Sequence, residues 1–556
     1  MNFTYSGARS ESHDAGRPAV SGDARDVVLI GFQDQGNLGM GYLAAVLQEN
    51  GYSVELLDYR DGPQEIIKRV RAADPCIVGF SLIFQYYLPG FRRLAQELRS
   101  AGVRSHFTIG GHYPSLCHDE VLVGMPELNS VVRFEGEQTL LDLTCRLTSG
   151  RDWHDVPGLA YLAGSVVVES SPRALVHDLE SLPWPYRPHE PEDVVGMKAL
   201  PILASRGCAR RCSFCSIHTF YRTAPGKVVR VRDADKVVDE MQALYRQLGV
   251  RIFLFQDDDF PLWGRAGHKW VEKLAQLLER SGLDRRVIWK ISCRAEYVES
   301  DLFARLSDVG LYLVYMGLES GTDGGLEILN KQMSVEANRH AIKTLKSIGL
   351  MFEYGFMLFD PSSTFASIRS NVDFLRTIVG DGSSAAVFCR MLPYGGTPIR
   401  DRLRMEGRLH GDVTRPDYDF LDRRLNEYHT LLDKAVAGWI HGHGISHQIN
   451  WAWNELEILD RLVGGLDGLP EYRTALRSLT ATSNSALFSY VERTCLAFKD
   501  GDRSELTPSA TASIRERLHD ELMRLRNGFV LTNSDRLLDA AATTQVTGPI
   551  LAPQIF

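Results

Sequence analysis

The sequence predicts an α/β chain in three parts: a Rossmann-like, doubly wound N-terminal domain, a partial (β/α)6 TIM barrel, and a mostly helical C-terminal domain. Three observations carry this. From Asp26, short apolar runs alternate with helical patterns, and most of the runs are apolar throughout, as strands covered on both faces must be. After a Pro-rich stretch containing Leu182-Pro183-Trp184-Pro185 a second alternating series begins. Beyond about Arg415 helical spacing continues with few strand-like runs.

In the first series, residues 27–32, 52–58, 76–81, 105–110 and 131–134 read as strands. Residues 38–50, 63–73, 88–101 and 138–147 read as helices, and 158–169 as a hairpin. Ligands of such sheets lie beyond the carboxyl ends of the strands, which singles out the loops 33–41, 81–87, 110–115 and 135–137. In the second series the expected strands are 200–205, 252–256, 287–292, 311–317, 352–358 and 385–392, separated by helices such as 234–247 and 335–347. The active site of a barrel of this kind is expected at the C-terminal ends of its strands. The expected boundaries are a flexible tail over 1–25, the first domain over 26–165, a linker over 166–195, the barrel over 196–412 and a helical, substrate-capping domain over 413–556.

Composition narrows the function classes. At 556 residues the chain can bury several cores, and 44% hydrophobic with 24% charged residues excludes a mainly disordered, fibrous or membrane-embedded protein. Lys and Arg number 62 against 70 Asp and Glu, without a long basic block, so nucleic acid is not an expected partner. No apolar run suits a membrane span or a signal peptide, so a cytoplasmic protein without a membrane partner is expected. Nine cysteines are odd in number and too sparse for a disulfide framework. Six stand far apart, whereas Cys208, Cys212 and Cys215 fall within eight residues.

Residues 205–215 leave the first barrel strand as a loop, at the end where barrel active sites lie. Zinc sites usually recruit four ligands from paired short spacings, and no second Cys or His pair nearby completes one. Three thiolates suit a 4Fe–4S cube better, with one iron left open for a cofactor or substrate.

Cys208-x3-Cys212-x2-Cys215, with the aromatic Phe214 before the third Cys, resembles the signature of the radical S-adenosylmethionine (SAM) superfamily. The resemblance implies that the three cysteines hold the cube, that the open iron chelates SAM, and that an electron from a donor such as flavodoxin or ferredoxin drives its cleavage. The SAM contacts it implies are Phe214, then Asp257 and Asp258 after the second strand, Ser292 and Arg294 at the third, Glu319 at the fourth, and Lys331 as a basic partner for the SAM carboxylate. Many relatives carry Gly-Leu-Pro-Gly-Glu-Thr after the fifth strand. This chain has Met357-Leu358-Phe359-Asp360-Pro361-Ser362-Ser363-Thr364, so that adenine-side contact is not carried over.

In the first domain, small residues at strand ends let the backbone approach a large flat or phosphorylated ligand. The set resembles the cobalamin (B12)-binding domain that precedes the barrel in a large branch of the superfamily. It implies cobalamin contacts from Gln35, Asn37, Leu38, Gly39, Ser81, Leu82, Gly110, Gly111, His112, Glu135 and Gly136. Many cobalamin proteins offer cobalt a histidine from Asp-x-His-x-x-Gly; this chain has Gln33-Asp34-Gln35-Gly36-Asn37 there. Base-off cobalamin with no protein histidine is therefore expected, with residues 35–38 facing the lower side. A methylthiotransferase would need a second cluster in this domain, but Cys76 starts a strand and Cys145 falls within a helix, so both are expected to pack as small hydrophobes.

The resemblance implies a class B-type methyltransferase, carrying a methyl group from SAM through methylcobalamin to an unactivated carbon of a small or carrier-bound natural-product intermediate. An sp3 carbon would require a 5′-deoxyadenosyl radical, whereas an electron-rich heteroaromatic carbon could attack the methyl group directly. The chain is similar to the pyrrole C-methylases of aminocoumarin antibiotic pathways, which points to a pyrrole carbon and antibiotic biosynthesis. The other reading within the family is cyclisation, oxidation or rearrangement without methyl transfer. In the C-terminal region His441, His443, His447 and Trp451 form a dense cluster, with His443 and His447 expected on one helix face. A metal site is the lesser reading of that cluster; residues 429–453 are expected to line the substrate pocket.

Overall fold

The computed structural model of the chain describes residues 25–33 and 36–543, so Gln35 and, save for Arg25, the expected tail lie outside the described residues. The first sheet has seven strands: β1 (Val27–Gly31), β2 (Val54–Asp58), β3 (Ile77–Ser81), β4 (His106–Gly110), β5 (Ser130–Val132), β6 (Leu159–Ala163) and β7 (Val166–Glu169). Their order is β2-β1-β3-β4-β5-β6-β7, the first five parallel and the β6–β7 hairpin antiparallel. Parallel neighbours need crossovers, which helices such as Leu38–Glu49, Pro63–Ala73 and Leu88–Ser100 supply. Leu88–Ser100 shows why it packs: Leu88, Phe91, Leu94, Ala95 and Leu98 recur at helical spacing and are its buried residues. The two faces of the sheet carry separate cores, one around Phe80, Phe91 and Phe107, the other around Leu29, Leu47 and Leu143. Residues 166–169, expected to open the linker, instead form the last strand of this sheet, because β7 completes the hairpin ladder with β6.

The second sheet is built from β8 (Glu192–Val194), β9 (Met197–Ile202), β12 (Val250–Phe255), β13 (Ile288–Cys293), β14 (Leu311–Glu319), β15 (Met351–Phe359) and β16 (Cys389–Arg390). A separate two-stranded ribbon of β10 (Ser205–Arg206) and β11 (Arg230–Val231) follows β9 in the chain. The order β16-β15-β14-β13-β12-β9-β8 leaves β16 and β8 as edges, so the barrel is partial. Its inner bottom is closed by Ala199, Ile252, Ile288 and Leu313 packing against Ile458 and Leu462 of the C-terminal helix Ile445–Leu462.

A longer sixth strand was expected over 385–392, and only Cys389–Arg390 pairs with β15. The cause is competition for donors. The Ala385 and Ala386 N–H groups donate to the side chains of Asn450 (2.9 Å) and Asn484 (2.7 Å), and that of Val387 to the Tyr354 hydroxyl. The region beyond residue 424 is helical, with Arg424–Ile440, Ile445–Leu462, Leu469–Lys499, Ala512–Thr532 and Ser534–Thr543, and it shares one core with the barrel. No described helix is long and apolar enough to cross a membrane.

Candidate active site

The three-cysteine loop begins where Gly207 turns out of β10. Its φ is 89°, and a Cβ there would stand 2.0 Å from the Val228 carbonyl oxygen, so only glycine fits without a backbone shift. The loop is pinned from outside: Ser213 N–H donates to Leu329 O (2.9 Å), Asn330 Nδ2 to Arg211 O (2.6 Å), and Ile399 N–H to Ser213 O (3.0 Å). Cys215 then caps the helix Ser216–Thr223. Burial pushes the Cys208 and Cys215 thiols up to about 12, so both are protonated at neutral pH until a metal displaces the proton. Cations wait beside them, the Arg294 Nη1 lying 3.8 Å from Cys212 Sγ. Cys208 Sγ lies 3.9 Å from Asp259 Oδ2, and Asp259 Oδ1 is buried with no partner. No three His, Cys, Asp or Glu side chains among the described residues are grouped as ligands of a single ion would be. Three soft donors spread along one pinned loop, with an orphaned carboxylate oxygen beside them, fit a polynuclear iron–sulfur cluster.

The residues expected around SAM divide into two groups. Glu319 and Lys331 form a buried ion pair (2.9 Å) at the end of β14, and Arg294 joins it to the cysteine loop by donating to Lys331 O and Glu296. Glu319 holds a left-handed φ of 62°, an unusual conformation for this residue, where the β14–β15 register shifts. Phe214 packs against the barrel core, and Ser292 lies half-buried on β13. The aspartates behave otherwise. Asp257 accepts from Ser205 Oγ (2.5 Å) and Ala204 N–H (3.2 Å) and so ties the second strand to the first rather than facing the loop. Asp258 accepts from Gly207 N–H (2.9 Å), meets Tyr221 and faces His112, which puts it on the first domain's side. Asp259, not expected from sequence, is the carboxylate that reaches a cysteine.

Between the strand ends of the first sheet and the barrel lies a cavity of 630 Å³. Every described residue expected to hold cobalamin, from Asn37 through Ser81, Leu82 and Gly111 to Gly136, lines it. Its far wall is barrel surface, with Leu203, Arg206, Phe220 and Tyr221, which sequence reasoning missed because their facing partner is a separate domain, and with Asp258, which was expected at SAM. The cradle is tight. Gly111 has φ 111°, and a Cβ would stand 2.1 Å from Leu82 O. Gly111→Val is expected to lower the cobalamin content of purified protein by about tenfold or more while far-ultraviolet circular dichroism is kept; unchanged content would refute the cradle.

Two lining residues take roles beyond lining. His112 stacks edge-on against Phe220 at 4.6 Å, and burial lowers its pKa while Asp258 opposes that. Glu135 does not present a free carboxylate: it accepts from Arg230 (2.7 Å), Arg206 (3.1 Å) and the Val176 N–H (2.7 Å), clamping the two domains together. Arg206 also binds Glu137 at 2.7 Å and lies over the Tyr42 ring.

The C-terminal histidines do not form the expected pocket. Gly444 precedes the helix Ile445–Leu462, so His443 lies in the turn before it and shares no helix face with His447. His441 pairs with Asp433 (2.7 Å), His447 with the Ile440 carbonyl, and Trp451 donates to Glu455 (2.9 Å). The three histidines are exposed and none of the four lines the cavity. His429 alone reaches the barrel end, its ring 4.9 Å from Phe359.

A doubly wound sheet with a cradle at its strand ends, joined to a partial barrel with a three-thiol loop at its mouth, defines an α/β enzyme with two cofactor sites. Comparison with known proteins agrees: the B12 binding domain family matches residues 25–144 and the radical SAM superfamily residues 202–375. The chain belongs to the radical SAM enzymes that carry an N-terminal B12-binding domain. It is 26% identical over 368 residues to an uncharacterized methyltransferase of Pyrococcus horikoshii, covering 65% of this chain and 77% of that one. It is 30% identical over 336 residues to the anaerobic magnesium-protoporphyrin IX monomethyl ester cyclase of Rubrivivax gelatinosus, with 57% of this chain matching 58% of that protein's length. In fold it resembles the cobalamin-dependent SAM radical enzyme OxsB with aqua-cobalamin bound, at a TM-score of 0.65 and 17% identity, over 94% of this chain and 84% of that one. The radical SAM methyltransferase TsrM from Kitasatospora setae, with cobalamin and a 4Fe–4S cluster bound, gives 0.57 and 18% over 69% and 75%.

Proposed function

We propose that the chain is a cobalamin-dependent C-methyltransferase that places a methyl group from SAM on an unactivated carbon of a small or carrier-bound natural-product intermediate, a pyrrole carbon first among them. The observation that carries the reading is the placement of two successive residues: Asp258 lines the cobalamin cavity while Asp259 touches Cys208. Cofactors seated at these two places face one shared space. When bound, the cluster supplies reductive cleavage of SAM and cobalamin supplies a methyl relay. The chain's own part is positioning. Cys208, Cys212 and Cys215 hold the cluster; Arg294, Lys331 and Glu319 orient SAM; Phe134, Phe220 and Tyr221 exclude water from the cavity between the domains. The helical region 413–556 caps the substrate, and a flavodoxin or ferredoxin supplies electrons.

Incubation with deuteriomethyl SAM tests this directly. The product is expected to carry the intact deuteriomethyl group; turnover without label would favour a cyclase-type or oxidative reaction instead. Cobalamin is expected to bind base-off without a protein nitrogen, since the first loop carries no histidine and His112, the one imidazole among the described residues lining the cavity, lies against Phe220. Nitrogen superhyperfine splitting in the electron paramagnetic resonance of the Co(II) state would contradict that.

A further inference from the structure

The cysteine loop has an outer side that holding a cluster does not use. Ala209 and Arg211, each the direct neighbour of a cysteine, are exposed, and so are Arg222 and Lys227 in the segment after Cys215. Arg222 ends the helix Ser216–Thr223 and donates from Nη2 to Ala209 O at 2.8 Å, so its guanidinium lies against the loop. Lys227 precedes Val228, whose carbonyl oxygen packs against Gly207 where the loop begins.

These cations stand without counterions. No carboxylate pairs with Arg211, Arg222 or Lys227 among the described residues. Other cations around the loop are neutralised: Arg210 pairs with Glu296 (3.0 Å), and on the helix Pro398–Met405, which starts beside Ser213, Arg400 pairs with Glu120 (3.0 Å) and Arg404 with Asp401 (3.1 Å). Arg211 and Arg222 also crowd one imidazole. Burial lowers the His218 pKa, the Cys215 carbonyl opposes that, and both guanidiniums add to the lowering. Like charges gathered on one surface repel, and an anionic partner from outside relieves them. The chain as a whole carries a net charge of −8, so an acidic protein is repelled at long range and is oriented by a local basic patch.

The patch is also separate from the cavity. The helix that carries Arg222 contributes Phe220 and Tyr221 to the cavity wall, whereas Arg211, Arg222 and Lys227 do not line it. A protein seated on the patch meets Ala209 and Arg211, one residue from Cys208 and Cys212, and leaves the cobalamin side uncovered.

We propose that Arg211, Arg222 and Lys227 form the docking surface for an acidic one-electron carrier protein, which reduces the cluster through the outer side of the loop. The carrier is oxidised by one electron and the cluster reduced by one; no bond or proton changes place. That an external carrier serves this chain rests on the function proposed above; the patch fixes where it binds.

The test is calorimetric titration of the full chain, holding cluster and cobalamin, with a flavodoxin and with a ferredoxin. At least one is expected to bind, and to bind about tenfold more weakly when ionic strength rises from about 0.05 M to about 0.5 M. Arg222→Glu combined with Lys227→Glu weakens binding by about tenfold or more, and Lys227→Glu alone, at a side chain that touches nothing in the loop, weakens it in the same direction. Reduction of the cluster by the reduced carrier, followed as bleaching of its charge-transfer absorption, slows accordingly, while dithionite reduces wild type and variants at equal rates. If charge reversal costs the double variant its cluster, Lys227→Glu and the salt dependence of the wild type decide. Binding of neither carrier, binding indifferent to salt or to Lys227→Glu, slower reduction by dithionite, or capture at the patch of a phosphopantetheine-bearing substrate carrier in place of the electron carriers would overturn the docking surface. Carrier binding that the variants weaken, in an enzyme that transfers no deuteriomethyl group, would support the surface and refute the methyltransferase reading.

Discussion

Replacing Cys208 by Ala is expected to abolish the iron–sulfur cluster and all turnover while cobalamin remains bound. Two thiols cannot hold a cube that leaves one iron open, so the loss is complete rather than partial. Cobalamin stays because no cysteine of the loop lines its cavity, and because the loop keeps its own anchors through Ser213, Arg211 and Gly207. The check is iron content and charge-transfer absorption of anaerobically purified variant beside its extracted cobalamin. Cluster retention would refute the ligand assignment; joint loss of cobalamin would show that the two sites do not form independently.

Arg206→Met is expected to produce the largest loss of stability. Arg206 is 9% exposed and stands between Glu135 and Glu137, both buried or nearly so. Removing one partner of a buried ion-pair cluster leaves uncompensated charge, at a cost of about 3–5 kcal/mol. Glu135 keeps Arg230, so Glu137 is the group stranded, and Glu137→Gln added to Arg206→Met should restore part of the stability. The loss falls on the domain interface and is read as earlier thermal unfolding with release of cobalamin. An unchanged melting temperature would show that the cluster adds nothing net.

The same clamp predicts a pH dependence. Burial alone would raise the Glu135 pKa, but the Arg206 and Arg230 guanidiniums outweigh it and hold the carboxyl below its ordinary value. A depressed folded-state pKa gives stabilisation that is fully present above the unfolded value, about 4.3, and is lost as pH falls through the folded value. Acid should therefore loosen the two domains in the wild type, and Glu135→Gln should flatten that dependence.

Legibility followed the range of the interactions. The ends of β1, β3 and β4 were readable because a strand buried on both faces is apolar throughout and a close backbone approach needs glycine, both local signals. Gly111 and the small residues near it therefore appear in the sequence where the cradle needs them. The three aspartates were harder. Adjacent in sequence, they serve three partners, Ser205, Gly207 and Cys208, because successive side chains after a strand end point in different directions. The shortened β16 was unreadable for a similar reason, its donors being taken by Asn450 and Asn484 from helices remote in sequence.

By itself the sequence determined the two α/β units, the three thiols at eight-residue span and the glycine-lined loops, since each rests on periodicity, spacing or steric need within a few residues. Only the tertiary structure decided that β10 and the helix Ser216–Thr223, which flank the loop, face the cradle across one cavity, that Glu135 clamps the domains, and that His441, His443 and His447 stay on the surface. Those features arise from pairs of residues tens to hundreds of positions apart, brought together by burial of the domain faces and by ion pairs that exist only once the faces meet.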